Sequence, residues 1–553
     1  MPVTPDDLAV LVARCLREAV ARTGGDLAGV PASATVERPR QPEHGDYATN
    51  AAMQTAKRAG LAPRALAAAL AADLADQPGI ASAEVAGPGF VNIRLRPAAA
   101  GALAATIVAS GAGYGASHAL AGRRVNVEFI SANPTGPLHL GHTRWAAVGD
   151  AIARVLQAAG AAVTREFYVN DRGVQMDRFG ESLMALAHGD PVPPDGYHGE
   201  YVHDLAHEIT LQRPDILTLP EDEQVAAFRE EGYQRQLAEQ RAQLEAFRTV
   251  FDVWTSERAL HASGRVAHGI DVLARAGHLY EADGALWMRT TDFGDDKDRV
   301  LVKQDGEYTY FASDTAYYVD KRERGFDRCL YLLGADHHGY VGRLRAMAAC
   351  AGDDPEQTLD VLIGQLVTVL QGGQELRLSK RAGTIVTLQD VVDVAGVDAV
   401  RYSLCRYPVD SPLTLDLDVI TAQTSDNPVF YVQYAHARLA SILRNAADLG
   451  LDRGELDPAL LDHPRETALL GALGELPRVV ATAAELREPH RVARYLEQTA
   501  AVFHKFYDEC RVLPHGDEQA TDNHRARLWL VAATRVVLAN GLGLLGVAAP
   551  ERM

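Results

Sequence analysis

The stretch SANPTGPLHLGH, at residues 131–142, decides the fold of this chain. The apolar run from Val125 to Ile130 predicts a strand before it, and a helical pattern follows it through Leu156. Pro137 suits the first position of that helix, where the missing N–H of proline costs nothing. We therefore expect a strand that passes through a proline- and glycine-containing turn into a long helix.

Two imidazoles lie at the predicted start of this helix. His139 and His142 are three residues apart, so they share one face of the first turn. The free N–H groups and the dipole of a helix N-terminus already favour an anion there. Gly141 would let a flat base or a sugar approach the backbone. The pattern predicts a phosphate site, with simple capping of the helix by two polar histidines as the alternative.

Length and composition indicate an ordinary globular protein of several domains. The 553 residues are too many for one core and suggest about three domains. With 47% hydrophobic and 23% charged residues the composition is unremarkable. No apolar run reaches the roughly 18 residues of a membrane span, and the acidic N-terminus does not resemble a secretory signal. We expect no membrane association.

The cysteines and the net charge predict the location of the protein and limit how it could bind nucleic acid. The five cysteines are scattered without a C-x-x-C pair, which predicts reduced thiols, a cytoplasmic location and no structural zinc. The formal net charge of −19 argues against a broad nucleic-acid footprint. Any contact with RNA would depend on local basic faces.

Three regions follow one another along the chain. Residues 1–112 predict a small α+β domain, and residues 113–414 alternate strand-like and helical segments. Such alternation predicts a mostly parallel, Rossmann-like sheet with helices on both faces. A polar helical insertion is expected at about 188–277, outside the sheet. Residues 415–553 predict an α-helical bundle, so the fold class is multidomain α/β.

Several individual elements can be assigned from periodicity. One strand is expected over residues 361–370, and residues 44–50 are expected to open a helix. The helices expected in the last domain are 427–449, 465–486, 489–510 and 525–545.

A second cationic element follows the last strong strand of the middle domain. The glycine-flanked loop at residues 371–384 carries Arg377, Lys380 and Arg381. A flexible lid of this kind would bring Lys380 and Arg377 onto a triphosphate, where placed cations stabilise developing charge. The alternative is a solvated basic loop.

Both elements resemble the signatures of class I aminoacyl-tRNA synthetases. HLGH resembles their HIGH motif, with Leu140 in place of isoleucine, and residues 377–381 resemble KMSKS, with Arg377 for the first lysine. The resemblance implies ATP across the carboxyl ends of the strands, with Mg²⁺ held by phosphates and water. It implies a catalytic set of His139, His142, Lys380 and Arg377. The implied ATP-binding residues are Pro134, Gly136, His139, Gly141, His142, Leu378, Ser379 and Lys380.

Further segments resemble the arginyl-tRNA synthetase family, and the resemblance spans the whole chain. They lie at residues 44–50, 127–133, 168–175, 283–287, 310–314, 334–339 and 427–438. The family implies ATP-dependent activation of L-arginine to arginyl-adenylate and its transfer to the 3′-terminal adenosine of tRNA(Arg). It also implies a monomer that needs tRNA for the first step.

The same resemblance implies an arginine pocket. Its residues would be Glu128, Asn133, Tyr310, Asp314 and His337. A guanidinium is a planar charged fork that pairs best with carboxylates, and lysine cannot satisfy such a site. Taken alone, Glu128 at a strand end also fits a structural salt bridge, and Asp314 also fits a helix N-cap.

The outer domains are implied to bind tRNA. The helical domain would take the anticodon and the N-terminal domain the outer corner of the tRNA, with contacts from Asn50, Tyr434, His436 and Arg438. Aromatic faces beside cations hold single-stranded bases. Two alternatives stay open: another class I synthetase, such as the cysteinyl enzyme, and a catalytically silent tRNA-binding paralogue.

Replacing Lys380 with alanine is expected to lower the rate of arginine adenylation roughly 10²–10³-fold, because one placed cation on a transferring phosphate is worth roughly 3–4 kcal/mol. Arginine affinity should change little. Amino-acid-dependent exchange of diphosphate into ATP measures the rate. Near-normal turnover would rule out the role given to the loop.

Overall fold

The computed structural model describes residues 4–39, 41–376 and 386–553. It confirms the predicted fold class: an α+β N-terminal region, a parallel-sheet domain and a helical C-terminal domain. The candidate residues Arg377, Leu378, Ser379 and Lys380 lie outside the described residues.

The N-terminal region is built on an antiparallel sheet of three strands in the order β1-β3-β2, with its own apolar core. Its elements are α1 (Pro5–Arg22), β1 (Tyr47–Thr49), α2 (Ala51–Ala59), α3 (Pro63–Ala75), β2 (Ile80–Ala86), β3 (Phe90–Leu95) and α4 (Pro97–Ser110). The expectation that residues 44–50 open a helix is wrong for Tyr47 to Thr49, because these residues pair with β3 and the helix begins only at Ala51.

The middle domain follows with alternating strands and helices. Its first half contains β4 (Arg124–Glu128), α5 (Leu140–Ala158), β5 (Ala162–Val169), α6 (Val174–His188), α7 (Glu200–Gln212), α8 (Glu221–Ala246), β6 (Val253–Ser256), α9 (Glu257–Ala262), α10 (Arg265–Ala276), β7 (Leu279–Ala282), β8 (Ala285–Met288) and β9 (Arg299–Val302). Its second half contains α11 (Tyr310–Glu323), β10 (Arg328–Gly334), α12 (Val341–Cys350), α13 (Pro355–Thr358), β11 (Leu359–Gly364), β12 (Val367–Gln371), β13 (Gln374–Glu375), α14 (Leu388–Cys405), β14 (Leu413–Asp416) and α15 (Leu417–Thr421).

The central sheet has five parallel strands in the order β11-β10-β4-β5-β6. The chain builds outward from β4 in one direction through β5 and β6, and in the other through β10 and β11. The order therefore switches between β4 and β10, where Glu128 lies opposite Tyr331. In open α/β sheets ligands bind outside the carboxyl ends of the strands at such a switch.

Two strand expectations need correction. The insertion expected at about 188–277 is not wholly outside the sheet, because β6 pairs with β5 in parallel and forms the edge of the sheet. The single strand expected over 361–370 is two strands. β11 ends at Gly364 in the central sheet, and β12 begins at Val367 and pairs with β14 in another sheet.

The C-terminal domain is a helical bundle, as expected. Its helices are α16 (Pro428–Asp448), α17 (Pro464–Gly474), α18 (Leu476–Leu486), α19 (His490–Glu509) and α20 (Asp522–Leu544). The one helix expected over 465–486 is two, because Pro477 at the start of α18 has no N–H to continue the preceding turns. Helix α4, from the N-terminal region, packs against α17 and α20 and joins the same core.

Among the described residues α20 alone is long and apolar enough to span a membrane by length and composition. In this structure 56% of its apolar window is buried, and the helix packs against α16, α19 and α4. A core helix of a bundle meets the same criterion.

A fully buried arginine joins the bundle to the middle domain. Arg401 on α14 donates to Asp150 on α5, to the Phe247 carbonyl at 2.8 Å, to the Thr249 hydroxyl at 3.0 Å and to the Leu545 carbonyl at 3.1 Å. Burial lowers the pKa of Arg401, and the charge of Asp150 opposes this shift. The end of α20 is thereby tied to α5, the helix that begins at the histidine motif.

Arg401→Met is expected to destabilise the protein by about 3 kcal/mol, because buried carbonyls and a carboxylate lose their donor. The exposed pair of Arg22 and Asp73 provides the control, since Arg22→Met should cost less than about 1 kcal/mol. Urea denaturation followed by circular dichroism compares the two variants. Equal losses of unfolding free energy in the two variants would contradict a central role for the contacts of Arg401.

Candidate active site

Helix α5 begins with the histidine motif, but three residues later than expected. Its first residue is Leu140 and its N-cap is His139, so Pro137 belongs to the preceding turn rather than to the first helical position. The His139 ring accepts a hydrogen bond from the Gly141 N–H at 3.1 Å. The rings of His139 and His142 stack with centroids 3.8 Å apart, which confirms that they share one face.

The structure shows a steric reason for glycine at position 141. A Cβ atom at this position would lie 2.9 Å from the His139 ring, closer than side chains tolerate. The glycine therefore gives the capping imidazole its room. Its expected role, to admit a base or a sugar, stays a prediction.

The turn before α5 is held by helices that lie outside the sheet. The Gln240 side chain on α8 donates to the carbonyls of Asn133 at 3.0 Å and Gly136 at 2.8 Å. The Tyr201 hydroxyl on α7 donates to the Thr135 carbonyl at 3.1 Å. Sequence reasoning missed both side chains, because they lie in a segment that reads only as a polar helical insertion.

The flank of the cationic loop is fixed to the same turn. The Leu140 N–H donates to the Val386 carbonyl at 3.1 Å, and the Leu388 N–H donates to the Leu138 carbonyl at 2.8 Å. His139 and Thr387 form an antiparallel bridge. On the other side, the Leu376 N–H donates to β12 at 2.9 Å. The residues that follow the loop thus lie next to the start of α5, and the residue that precedes it is bound to β12.

Glu128 ends β4 and makes two hydrogen bonds. Its carboxylate accepts from the Lys321 ammonium at 2.5 Å and from the Ser131 hydroxyl at 3.0 Å. The salt bridge that sequence reasoning left open for Glu128 is therefore present. Glu128 also lies near Asp314, since its charge contributes to the pKa shift of that carboxyl group.

Asp314 lies one turn into α11, so it is not a helix N-cap. Its carboxylate accepts a hydrogen bond from the Tyr340 hydroxyl. Burial, together with the charge of Glu128, raises the pKa of Asp314 to about 6. The hydrogen bond from Tyr340 and the charge of Arg343 oppose the shift. Tyr340 therefore holds the Asp314 carboxylate close to another negative charge, and a bound cation would reduce the repulsion between the two carboxylates.

A third buried carboxyl group, Glu257, interacts electrostatically with Asp314, and sequence reasoning missed it. Glu257 begins α9 directly after β6 and is 3% exposed. Burial and the charges of Asp314 and Asp171 raise its pKa to about 7. The charge of Arg172 opposes this pKa shift, and the His261 ring, 4.0 Å from the Glu257 carboxylate, hydrogen bonds with Ser313 at 2.8 Å. Only the position of β6 in the sheet could have revealed Glu257.

The remaining residues of the expected arginine pocket are Asn133, Tyr310 and His337, and among them His337 is shown to interact with Asp314. Asn133 donates to the Gln175 side chain. Tyr310 starts α11 with 69% of its surface exposed, and its hydroxyl lies beside Gly173. The His337 side chain is 52% exposed, and its ring stands edge-on to Tyr340.

The aromatic surface expected for tRNA is partly exposed and partly buried. Tyr434 on α16 is 42% exposed and stacks with Phe430 and His504. Arg438 lies over the Tyr507 ring at 4.3 Å. His436 is on the other face of α16, where it is 3% exposed and bonds with the Pro550 carbonyl at 2.8 Å.

Asn50 is also less accessible than expected. It precedes α2, makes no capping hydrogen bond, and its side-chain oxygen is buried. A direct contact of Asn50 or His436 with RNA would need these polar atoms to become accessible. Packing explains the position of His436 in the present structure, because its bond holds the end of the chain against α16.

The parallel sheet with its switch between β4 and β10, the stacked histidines at the start of α5 and the carboxylates Glu128 and Asp314 define the catalytic domain of a class I aminoacyl-tRNA synthetase. Family models match the chain along most of its length. They are the arginyl-tRNA synthetase N-terminal domain at residues 8–95, the class I (R) tRNA synthetase catalytic domain at 105–188 and 221–403, and the DALR anticodon-binding domain at 432–553.

Full-length relatives agree with these matches. The chain is 59% identical to the arginine–tRNA ligase of Frankia alni and 55% identical to that of Kineococcus radiotolerans, with 100% of each chain covered. The solved arginyl-tRNA synthetase of Thermus thermophilus is 25% identical, with a TM-score of 0.76, over 99% of this chain and 100% of that one. The chain belongs to the arginyl-tRNA synthetase family.

Asp314→Asn is expected to raise the KM for arginine about tenfold or more, since a charge-assisted hydrogen bond is worth about 1.5–3 kcal/mol. The KM for ATP should stay unchanged. Asp271→Asn, at an exposed position of α10, is the matched control. Steady-state aminoacylation measures both constants, and equal effects on the two substrates would place Asp314 outside the arginine pocket.

The same variant tests the pKa of Asp314. This carboxyl group is ionised above about 6 and neutral below, so arginine affinity of the unchanged protein should fall as pH drops through that value. Asp314→Asn should lose this part of the pH dependence.

Proposed function

We propose that this chain ligates L-arginine to tRNA(Arg). ATP first activates the amino acid as arginyl-adenylate, and the arginyl group then passes to the 3′-terminal adenosine. Two observations carry the proposal. Glu128, which acts on the Asp314 carboxyl group, ends β4 at the switch of a parallel sheet, and the helix that follows β4 begins at the stacked histidines.

The histidine motif would bind ATP. His139 and His142 would contact phosphates and ribose at the start of α5, where backbone N–H groups and the helix dipole favour an anion. Pro134 and Gly136 would shape the turn that Gln240 holds. The motif residues Arg377, Leu378, Ser379 and Lys380 would complete the ATP site. The pairing of Val386 and Thr387 with the turn before α5 supports the approach of this loop to the histidines.

In the first step a carboxylate oxygen of arginine attacks the α-phosphorus of ATP. A new P–O bond forms as the bond to the bridging oxygen breaks, and diphosphate leaves. The protein contributes position and positive charge rather than covalent chemistry. Mg²⁺ would enter with ATP, held mainly by phosphates and water.

The carboxylates would select arginine. A guanidinium presents paired donors to Asp314 and Glu128, whereas the ammonium of lysine is a point charge. Asn133 and His337 would orient the α-amino end, and Tyr310 would line the pocket. A site built for hydrogen bonds discriminates roughly 10⁴–10⁵-fold against a substrate that leaves its polar groups unpaired. Selection of arginine over lysine would therefore require no editing domain.

The outer domains would hold tRNA(Arg). Tyr434 and Arg438 offer a stacking face with an adjoining cation, which supports contact with unpaired anticodon bases. Other arginines that could form basic faces are engaged: Arg487 pairs with Asp360, and Arg527 pairs with Glu466. Residues 1–112 would bind the outer corner of the tRNA, and the protein would act as a cytoplasmic monomer.

Diphosphate exchange with each of the twenty amino acids, with and without tRNA, tests the proposal. We expect exchange with arginine alone, and only in the presence of tRNA(Arg). Activation of a different amino acid would indicate another class I specificity. Tight tRNA binding without any exchange would indicate a silent paralogue.

A further inference from the structure

A buried lysine lies beneath the proposed arginine pocket. Lys321 on α11 is 0% exposed, and its ammonium is 2.5 Å from Glu128. The rings of Tyr331 and Tyr317 flank the ammonium with centroids at 4.0 Å and 4.2 Å. A buried ammonium is costly unless it is paired, so this position requires the Glu128 carboxylate.

The carboxylate that Lys321 holds also anchors the turn towards the histidine motif. Ser131 donates its hydroxyl to Glu128 at 3.0 Å and accepts from the Tyr168 N–H at 3.2 Å. Ile130 and Ser131 both have left-handed backbone angles, with φ of 69° and 47°. Non-glycine residues keep such angles only where surrounding bonds fix them. Lys321 is therefore connected through Glu128 to the conformation of residues 130–131.

The neighbouring carboxylate, Glu166, has hydrogen-bond partners of its own. Burial raises its pKa and the charge of Lys321 lowers it, so Lys321 acts electrostatically on both carboxylates. Glu166 lies directly opposite Glu128 in the register of β5 and β4. It has its own partners: Arg324 at 2.9 Å, and the side chains of Asn126 and Thr255 at 2.5 Å. The direct hydrogen bond of Lys321 goes to Glu128, the carboxylate that ends its strand at the pocket.

Helix α11 thus carries both charges that the pocket needs. Lys321 follows Asp314 by seven residues, about two turns, so the two side chains share one face of the helix. Because the ammonium offsets part of the charge of Glu128, Asp314 would contribute a large share of the negative charge that balances a bound guanidinium. Glu128 would serve as an oriented acceptor.

We infer that Lys321 is a positioning residue for arginine: without touching the substrate, it fixes the Glu128 carboxylate in the orientation that accepts the guanidinium. This inference rests on the proposed function. It assigns a task to a residue that binds only protein groups.

Lys321→Met is expected to raise the KM for arginine about tenfold, because Glu128 loses the charge-assisted hydrogen bond that orients its carboxylate. The KM for ATP should stay unchanged. Arg324→Met is the matched control, because it removes the cation of the neighbouring carboxylate on the same helix and should leave the KM for arginine unchanged. An unchanged or lowered KM for arginine in Lys321→Met, or an equal rise for ATP, would overturn the inference.

A double-variant cycle covers the case in which Lys321→Met folds poorly. Glu128→Gln with Lys321→Met removes both charges of the pair and leaves neither buried alone. If Lys321 acts through Glu128, the double variant should show the same KM for arginine as Glu128→Gln, and independent effects that multiply would contradict the inference.

The unchanged protein separates the two proposals. Absence of arginine-dependent charging there contradicts the proposed function, whereas charging with a normal KM in Lys321→Met overturns the inference alone.

Discussion

The parallel pairing of β4 with β10 is the contact on which the site depends. It brings together two strands that are far apart in the chain, and it places Glu128 opposite Tyr331 at the point where the strand order reverses. The turn after β4 leads to the stacked histidines, and the turn after β10 leads to His337 and Tyr340. Without this pairing the nucleotide motif and the carboxylates would have no common edge.

Buried charge is arranged around this edge by one helix. Helix α11 supplies Asp314 to the pocket, Lys321 to Glu128 and Arg324 to Glu166. Each buried carboxylate on β4 and β5 therefore has a cation from the same rigid element. Such pairs add little net stability, but they fix which carboxylate orientation the folded protein keeps. That property suits the proposed arginine pocket, which would recognise a planar cation.

Much of the architecture could be predicted, and the errors have definite causes. The histidine motif, the domain order and the C-terminal helices were readable because long periodic segments and helix-start residues carry local signals. The strand β6 was not, since four residues inside a polar helical stretch become a strand only by pairing with β5. Lys321 reads as a surface residue in the sequence, because its burial follows from the packing of α11 against β4 and β10.

The sequence by itself determined the family, through the resemblance of its motifs, and it named the candidate nucleotide motifs and pocket residues, because residue type and spacing are local properties. Only the tertiary structure decided which of them meet. It gave Glu128 a lysine partner, placed Glu257 beside Asp314 and turned His436 away from solvent. The physical reason is that charge pairing and burial depend on distances between segments that are remote in the chain, and no local pattern encodes those distances.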